Sequence, residues 1–588
     1  MKKLFILLAV SFMMLVSCKK FLDREPLTQI SPDNAFSSES ELQLYMRSFY
    51  SMFPAGDGSF PNGIYNETMD NIILNSLMPQ LTGSRVVPVT DGNWSWGNLR
   101  NINFFLQHYQ NGHLAPTVTA PYVGTARFFR AYFYFNMVAL YGDVPWVGAA
   151  IDANDTLLLN RARDPRTLVI DSVLADLNYA ISNMTATKAV DQVSRWTAMA
   201  LKARVCLYEG SFRKYHGGDA IGAGGVGATD LLQQCADICD TLMKSGMYKL
   251  HTGAAGSAYA ELFNAQSPDL NEMILARTYN LGLGVYHNLN YYTVSPSFGK
   301  PGLEKGLVNS YLMKDGSRFT DIPGYDTMPL LLESANRDPR LSQTVRTPGY
   351  TRIGSSQVLA PDFSATVTGY QLTKFVADPS QDANAKSVTP MPIFRFAEVL
   401  LAFAEAKAEL GTLTQDDLNR SINLLRSRVG MPALNMVDAN ANPDPFLAAQ
   451  YTSVVGANTG VVLEIRRERR IELVMESFRW NDLMRWKEGH LLTTPYKGMY
   501  FRGPGSYDLD GNGKPDVVIY TDTKPPAQSG VVYLKLGTDV DLENGVSGGN
   551  IVINKTVTKT WREDRDYLFP IPQQEILLNP KLSQNPKW

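Results

Sequence analysis

Long amphipathic segments constrain this chain more than any other feature. Tyr122 to Tyr141 carries Phe128, Phe129, Tyr132, Phe133, Phe135 and Met137 around Arg127 and Arg130, and Thr167 to Met184 and Ser194 to Gly210 repeat apolar residues at helical spacing. Gly142-Asp143-Val144-Pro145 supplies a stop for the first of them. The pattern returns at Arg395 to Leu410, Asp416 to Val429 and Val461 to Lys487, where Ala397, Ala402, Ala404, Ala406 and Ala408 allow close helix approach. Paired helices with short joins predict stacked hairpins, and the pair spanning 395–429 has about the length of a tetratricopeptide unit. Residues 211–227 are Gly-rich, 248–394 lose the period in favour of Pro, Gly, Tyr and Ser, and 489–560 become Gly-rich and strand-like. That order predicts a mainly α fold and excludes sheet-only and doubly wound architectures.

The amino terminus predicts export. Lys2 and Lys3 precede an apolar run from Leu4 to Val16, the anatomy of a cleaved signal and too short for an ordinary spanning helix. Leu15-Val16-Ser17-Cys18 matches the bacterial lipobox, so residues 1–17 read as a lipoprotein signal peptide and Cys18 as the lipidated first residue of the mature protein. Several acyl chains give stable anchoring. Residues 18–38, with Pro26 and Pro32, read as a tether leading to a first helix near Glu39. The body then divides into 39–247, an N-terminal helical part; 248–394, an irregular ligand-facing insertion; 395–488, C-terminal hairpins; and 489–588, a loop and short-strand region.

Charge and motif content exclude several functions. The 55 basic and 57 acidic residues leave a formal charge of -2, with no overall field for nucleic acid. Cys206, Cys235 and Cys239 form no disulfide framework and lack zinc-like companions, so they read as small buried hydrophobes. No Gly-x-Ser-x-Gly elbow, His-Glu-x-x-His or phosphate loop is evident, and six histidines leave few constellations for His-based catalysis. The chain reads as a binding protein. Aromatics at 11% supply the flat amphipathic surfaces that sugars and peptides both use.

Separated blocks resemble the signature blocks of the SusD/RagB family: ARFFRAYFYFNMVALYGDVPW (126–146), SRWTAMALKARVCLYEG (194–210), RFAEVLLAFAEAKAELG (395–411) with LNRSINLLRSRVG (418–430) and IRRERRIELVMESFRWNDLMRW (465–486), and DYLFPIPQQEILLNPKLSQNPKW at the end. The opening CKKFLDREP (18–26) also resembles the family's mature start. The resemblance implies tetratricopeptide-like hairpins in a right-handed superhelical body with loop and short-strand insertions. It further implies anchoring on the outer face of the outer membrane, and a SusC-like TonB-dependent transporter as partner. The ligand it implies is a nutrient, an oligosaccharide or polysaccharide on the SusD side and a peptide on the RagB side. A glycoside hydrolase is the weaker alternative, because acidic residues are many and none is singled out. Arg466, Arg467, Glu468, Arg469 and Arg470 lie close enough to Glu464, Glu472 and Glu476 for helical ion pairs, so that run reads as scaffold.

Three segments are candidate sites. Asp91 to Asn98 packs Trp94 and Trp96 beside amides, with Asn98 and Asn101 following, and in starch-binding members of the family this general region contributes to the glycan site. There the resemblance puts Trp96 with the scaffold and leaves Trp94 as the ring to expect at the ligand. The stretch 279–298 interleaves Tyr286, Tyr291, Tyr292 and Phe298 with amides, among them Asn290. The third segment spaces Asp508, Asp510, Asn512, Lys514 (through its carbonyl) and Asp516 as in the front of a calcium loop. Ile519 stands where an EF-hand places Glu, so the expectation is a non-EF structural calcium loop or a plain Asp/Asn/Gly turn. No other cofactor is expected.

Overall fold

The computed structural model describes residues 35–54, 69–150 and 160–588. The signal segment, Cys18 and most of the tether lie outside the described residues. Helix α1 (Glu39–Phe49) starts where Ser38 accepts from the Glu41 amide at 3.3 Å and the Ser37 amide donates to Glu41 Oε2 at 2.8 Å, a reciprocal cap. It is followed by α2 (Gly97–His108), α3 (Pro116–Tyr141), α4 (Arg166–Asn183), α5 (Arg195–Tyr215) and α6 (Ala228–Lys244). Short α7 (Leu289–Val294) stands in a loop-rich stretch, and α8 (Phe396–Glu409), α9 (Gln415–Asn419), α10 (Ile422–Arg428), α11 (Thr459–Glu472) and α12 (Arg479–Arg485) follow, with further helices of four to seven residues between and after them. Successive helices pack on one another, α3 on α4, α5 on α6, then α6 on α8 and α8 on α11. The mainly helical expectation is met. No helix among the described residues is long and apolar enough to cross a membrane.

The sheets are small. β1 (Ile72–Ile73) pairs antiparallel with β3 (Gly302–Leu303), β2 (Met273–Arg277) with β4 (Met391–Arg395), and β5 (Tyr496–Phe501) with β9 (Gly549–Ile553). β6 (Gly505–Tyr507) and β7 (Val517–Tyr520) form a hairpin, on which β8 (Val532–Lys535) adds in parallel.

Two helices expected to be continuous are broken, each by a tertiary partner. Within 416–429 the helix stops at Asn419 and restarts at Ile422: Ser421 Oγ turns back onto the Asp417 carbonyl, and Arg420 reaches sideways to Asp240 and Asp417. Within 461–487 the break falls at 473–478, where Met475 (φ 66°) and Ser477 (φ 63°) take left-handed conformations. Between them Glu476 receives Lys374 Nζ at 2.7 Å and Arg395 Nε at 2.6 Å, which offsets the local strain. Gly142 ends α3 as expected. Its φ of 73° suits glycine, and a Cβ there would meet Leu568 Cδ1 at 2.8 Å.

The Arg466–Arg470 run is scaffold, but it is a buried one and not a solvated helix face. Its guanidiniums mostly leave the helix: Arg466 Nη1 pairs with Glu488 at 3.3 Å, Arg469 Nε with Asp482 at 2.8 Å, and Arg470 Nη2 with the Asp70 carbonyl at 2.8 Å. Arg467 pairs both with Asp444 and, within the helix, with Glu464. Buried charge in a fold this size persists because each ion has a partner. The C-terminal stretch closes the first hairpins. Asn585 Nδ2 donates to the Tyr141 carbonyl at 3.0 Å and to the Phe569 carbonyl at 2.6 Å, and Arg85 lies over the rings of Phe569 and Trp588. Cys206, Cys235 and Cys239 are buried and free.

Candidate functional site

The β1–β3 ladder pairs Ile72 with Leu303 and Ile73 with Gly302, and the chain leaves β1 into 74–80 while it enters β3 from 297–299. The Asn75 amide donates to the Gly299 carbonyl at 2.9 Å and ties the two segments together. Gly299 is left-handed (φ 72°) and lies so close to Leu74 that a side chain would crowd it. Between the segments lies an open cleft of about 570 Å³. Phe298, Leu77 and Met78 give it apolar wall, and Asn75, Ser76, Gln80 and Ser297 give it a polar rim. Gln80 Oε1 is buried and accepts no hydrogen bond among the described residues. An aromatic plane with amide and hydroxyl groups around it suits a ligand that has an apolar face and hydroxyl edges.

Tyr291 and Tyr292 support this wall. Phe298 stands 5.0 Å from the Tyr291 ring and 4.4 Å from the Tyr292 ring. Tyr291 is half-buried and Tyr292 is buried, so Phe298 is the ring of the three that lines the cleft. Tyr286 is exposed on the preceding loop. Asn290, expected as a sugar contact, is fully buried and spent on the scaffold: Nδ2 donates to Asp382 at 2.6 Å, and Oδ1 accepts from the Ala377 amide at 2.7 Å. Sequence reasoning passed over Gln80 and its neighbours. Their signal, an amide-containing run Asn75 to Gln80 with no helical or strand period directly after Ile72-Ile73-Leu74, was present but weak.

The tryptophan segment differs from expectation. Trp94 is 6% exposed, edge-on to Tyr141 at 4.8 Å and to Trp96 at 5.4 Å. Tyr141 in turn donates to Asp91 Oδ2 at 2.7 Å, closing the turn over the Trp94 ring. Trp94 therefore offers no open face, and Trp96, half-buried against Phe133, is the more accessible of the two. Asn98 and Asn101 are exposed on α2.

Asp508 to Asp516 form the loop of the β6–β7 hairpin, flanked by strands where an EF-hand has helices. Ile519 is buried in β7 opposite Gly505, which is why no carboxylate stands there. Asp508 Oδ1 and Oδ2 accept from the amides of Gly511 and Gly513, both at 2.7 Å, and Asp516 Oδ2 accepts from Leu509 at 2.7 Å. Oxygens of Asp508, Asp510 and Asp516 lie within 4.8 Å of one another. Burial, then the charges of Asp510 and Asp508, push the Asp516 carboxyl up. These oxygens, with Asn512 and the Lys514 carbonyl, are the groups that could hold a hard cation.

Helical hairpins carrying loop-built clefts and small antiparallel ladders define a mainly α binding protein. Residues 271–588 match the model of the SusD family, and residues 20–207 match a model described as starch-binding associating with outer membrane. The chain belongs to the SusD family, whose members bind their ligands without transforming them. It is 23% identical over 536 residues to the SusD-like protein P38 of Formosa agariphila, covering 84% of this chain and 93% of that one. A SusD-like protein of Bacteroides ovatus is 24% identical over 523 residues, 83% of each chain. The fold matches a SusD-like carbohydrate binding protein of Bacteroides fragilis with TM-score 0.69 at 22% identity, covering 94% of this chain and all of that one. A second Bacteroides fragilis SusD-like protein matches with TM-score 0.68 at 21% identity, covering 96% of this chain and all of that one.

Proposed function

We propose that this protein captures an oligosaccharide at the cell surface and passes it, unchanged, to a SusC-like TonB-dependent transporter in the outer membrane, to which a lipid on Cys18 keeps it close. The cleft between 74–80 and 297–299 carries the reading. Its Phe298 wall offers a stacking plane, and Asn75 and Ser76, exposed on its rim, offer amide and hydroxyl groups for sugar hydroxyls. The starch-binding family description and the carbohydrate-binding Bacteroides fragilis neighbour support the ligand class. Outer-membrane association is in keeping with the same family description.

The test is calorimetric titration of residues 19–588 with plant, mucin and microbial oligosaccharides beside mixed peptides. Saturable heat from one glycan class, reduced in Phe298→Ala and Asn75→Ala, is the expected result. Heat from peptides alone would transfer the site to peptide import.

A further inference from the structure

The loop 248–257 and the turn 265–272 flank the helix Ala258–Asn264, and the His251 ring joins all three. Its Nδ1 donates to Asp269 Oδ2 at 2.6 Å and its Nε2 to Glu261 Oε2 at 3.3 Å, while the His251 amide donates to Glu272 Oε2 at 2.8 Å. The inner face of the helix is fixed to the core: Tyr259 and Phe263 are fully buried, and the Tyr259 hydroxyl donates to the Glu472 carbonyl at 2.8 Å. The outer face carries Glu261, whose side chain is 48% exposed. Residues 252–256 are exposed too, and there the Ala254 carbonyl accepts from the Ser257 and Ala258 amides and the Ala255 carbonyl from Gln343 at 3.4 Å.

An ionised carboxylate can only accept, and a neutral imidazole has one N–H, so a ring that meets two carboxylates through its two nitrogens is an imidazolium. Burial works against that charge, but the bonds to Asp269 and Glu261 and the charges of Asp269 and Glu272 raise the ring above the usual histidine value. The proton does not sit on the acids. Burial opposes the charge on Asp269, yet His251 and the amides of Glu272 and Asn271 hold its carboxyl below the usual range, and Ser257 and His251 do the same for Glu261. The other charges nearby leave this arrangement to His251. Glu272 is answered by Arg395 at 2.8 Å and Arg428 at 3.3 Å, Lys188 donates to the Met247 carbonyl at 2.8 Å, and Lys249 is exposed; among the described residues neither Asp269 nor Glu261 makes another ion pair. A histidine raised on folding contributes stability that is complete below its unfolded value, 6.5, and is lost as pH rises through the folded one.

We propose that His251 is a proton-operated clamp: as an imidazolium it ties the helix Ala258–Asn264 to the loop before it and the turn after it, and when the ring gives its proton to solvent, Nε2 lets go of Glu261 and the loop 252–257 opens. The clamp is separate from the outer cleft and stands whether that cleft takes glycan or peptide. Nitrogen NMR of residues 19–588 labelled at histidine, with His251 assigned by its loss in His251→Gln, should show the ring titrating above 6.5, and lower in Asp269→Asn. Hydrogen exchange of the segment 252–262, corrected for the intrinsic effect of pH, should show protection falling at least about threefold between about pH 6 and about pH 9. Glu261→Gln, an exposed change whose amide can face Nε2 in either protonation state, should abolish that fall, as should His251→Gln. A ring that titrates at or below 6.5, protection that does not change with pH, or the same fall in Glu261→Gln would overturn the proposal.

Discussion

Glu472 Oε2 accepts from Arg428 Nη2 at 2.6 Å, while its Oε1 accepts from Arg395 Nη1 at 2.8 Å. One carboxylate on the last turn of α11 thus holds guanidiniums from α10 and from the end of β4, and Arg340 approaches it at 3.4 Å. Burial works against its charge, but these three arginines hold its carboxyl well below the usual carboxylate range. Removing one member of a buried pair leaves the other charge uncompensated. Glu472→Gln is therefore expected to destabilise the protein by about 3–5 kcal/mol, read from denaturant midpoints. A change below about 1 kcal/mol would mean that the arginines find other partners.

Acid should unfold the protein through the same kind of group. Burial opposes the charge on Asp70, yet Arg479 and Arg470 hold its carboxyl down at about 2; burial also opposes Glu405, which Arg485 and Arg469 hold at about 2. Carboxyls lowered on folding contribute stability that is complete above their unfolded values, 3.8 and 4.5, and is lost as pH falls through the folded ones. The melting temperature should fall steeply between about pH 4.5 and pH 2. Asp70→Asn should be less stable at neutral pH and show a shallower fall.

Trp94 and Phe298 should separate stability from binding. Trp94→Ala opens a hole beside Tyr141 and is expected to cost about 3–5 kcal/mol of stability while the folded fraction keeps its ligand affinity. Phe298→Ala, which removes a half-buried ring, should lower melting less than Trp94→Ala does and reduce affinity by about 1 kcal/mol, roughly fivefold. A calorimetric loss in Trp94→Ala without a melting shift would contradict this division.

Calcium is expected to stabilise the β6–β7 loop through Asp508, Asp510 and Asp516. At a hundred times its Kd it would contribute about 2.7 kcal/mol. Melting should rise with added calcium, fall with a chelator, and stop responding in Asp508→Asn with Asp510→Asn. Sugar capture should persist throughout. Identical melting with calcium and with chelator would leave the loop as an ordinary Asx turn.

The helices were legible because their period is local, and so was the stop at Gly142. The breaks at Ser421 and Glu476 were not, since their causes are Asp240, Lys374 and Arg395, far away in sequence. For the same reason the arginine run read correctly as scaffold but its partners did not: of the bonds to Glu488, Asp482, Asp70 and Glu464, the last alone lies within the helix. At the candidate site the aromatic cluster around Tyr291 and Phe298 was visible as composition. Which ring faces outward was not, because burial of Trp94 depends on Tyr141 of α3 and burial of Asn290 on Asp382 and Ala377.

The bond from Asn585 to the end of α3 has a bearing on the order of folding. The lid over the hairpin that α3 opens is supplied by residues far later in the chain, with Leu568 seated against Gly142 and Trp588 donating to the Leu568 carbonyl at 3.1 Å. A growing chain can therefore assemble its helices in sequence but cannot seal the end of α3 until residues 568–588 have emerged. Until then α3 carries an uncovered greasy terminus, the segment where a holding chaperone would find its grip.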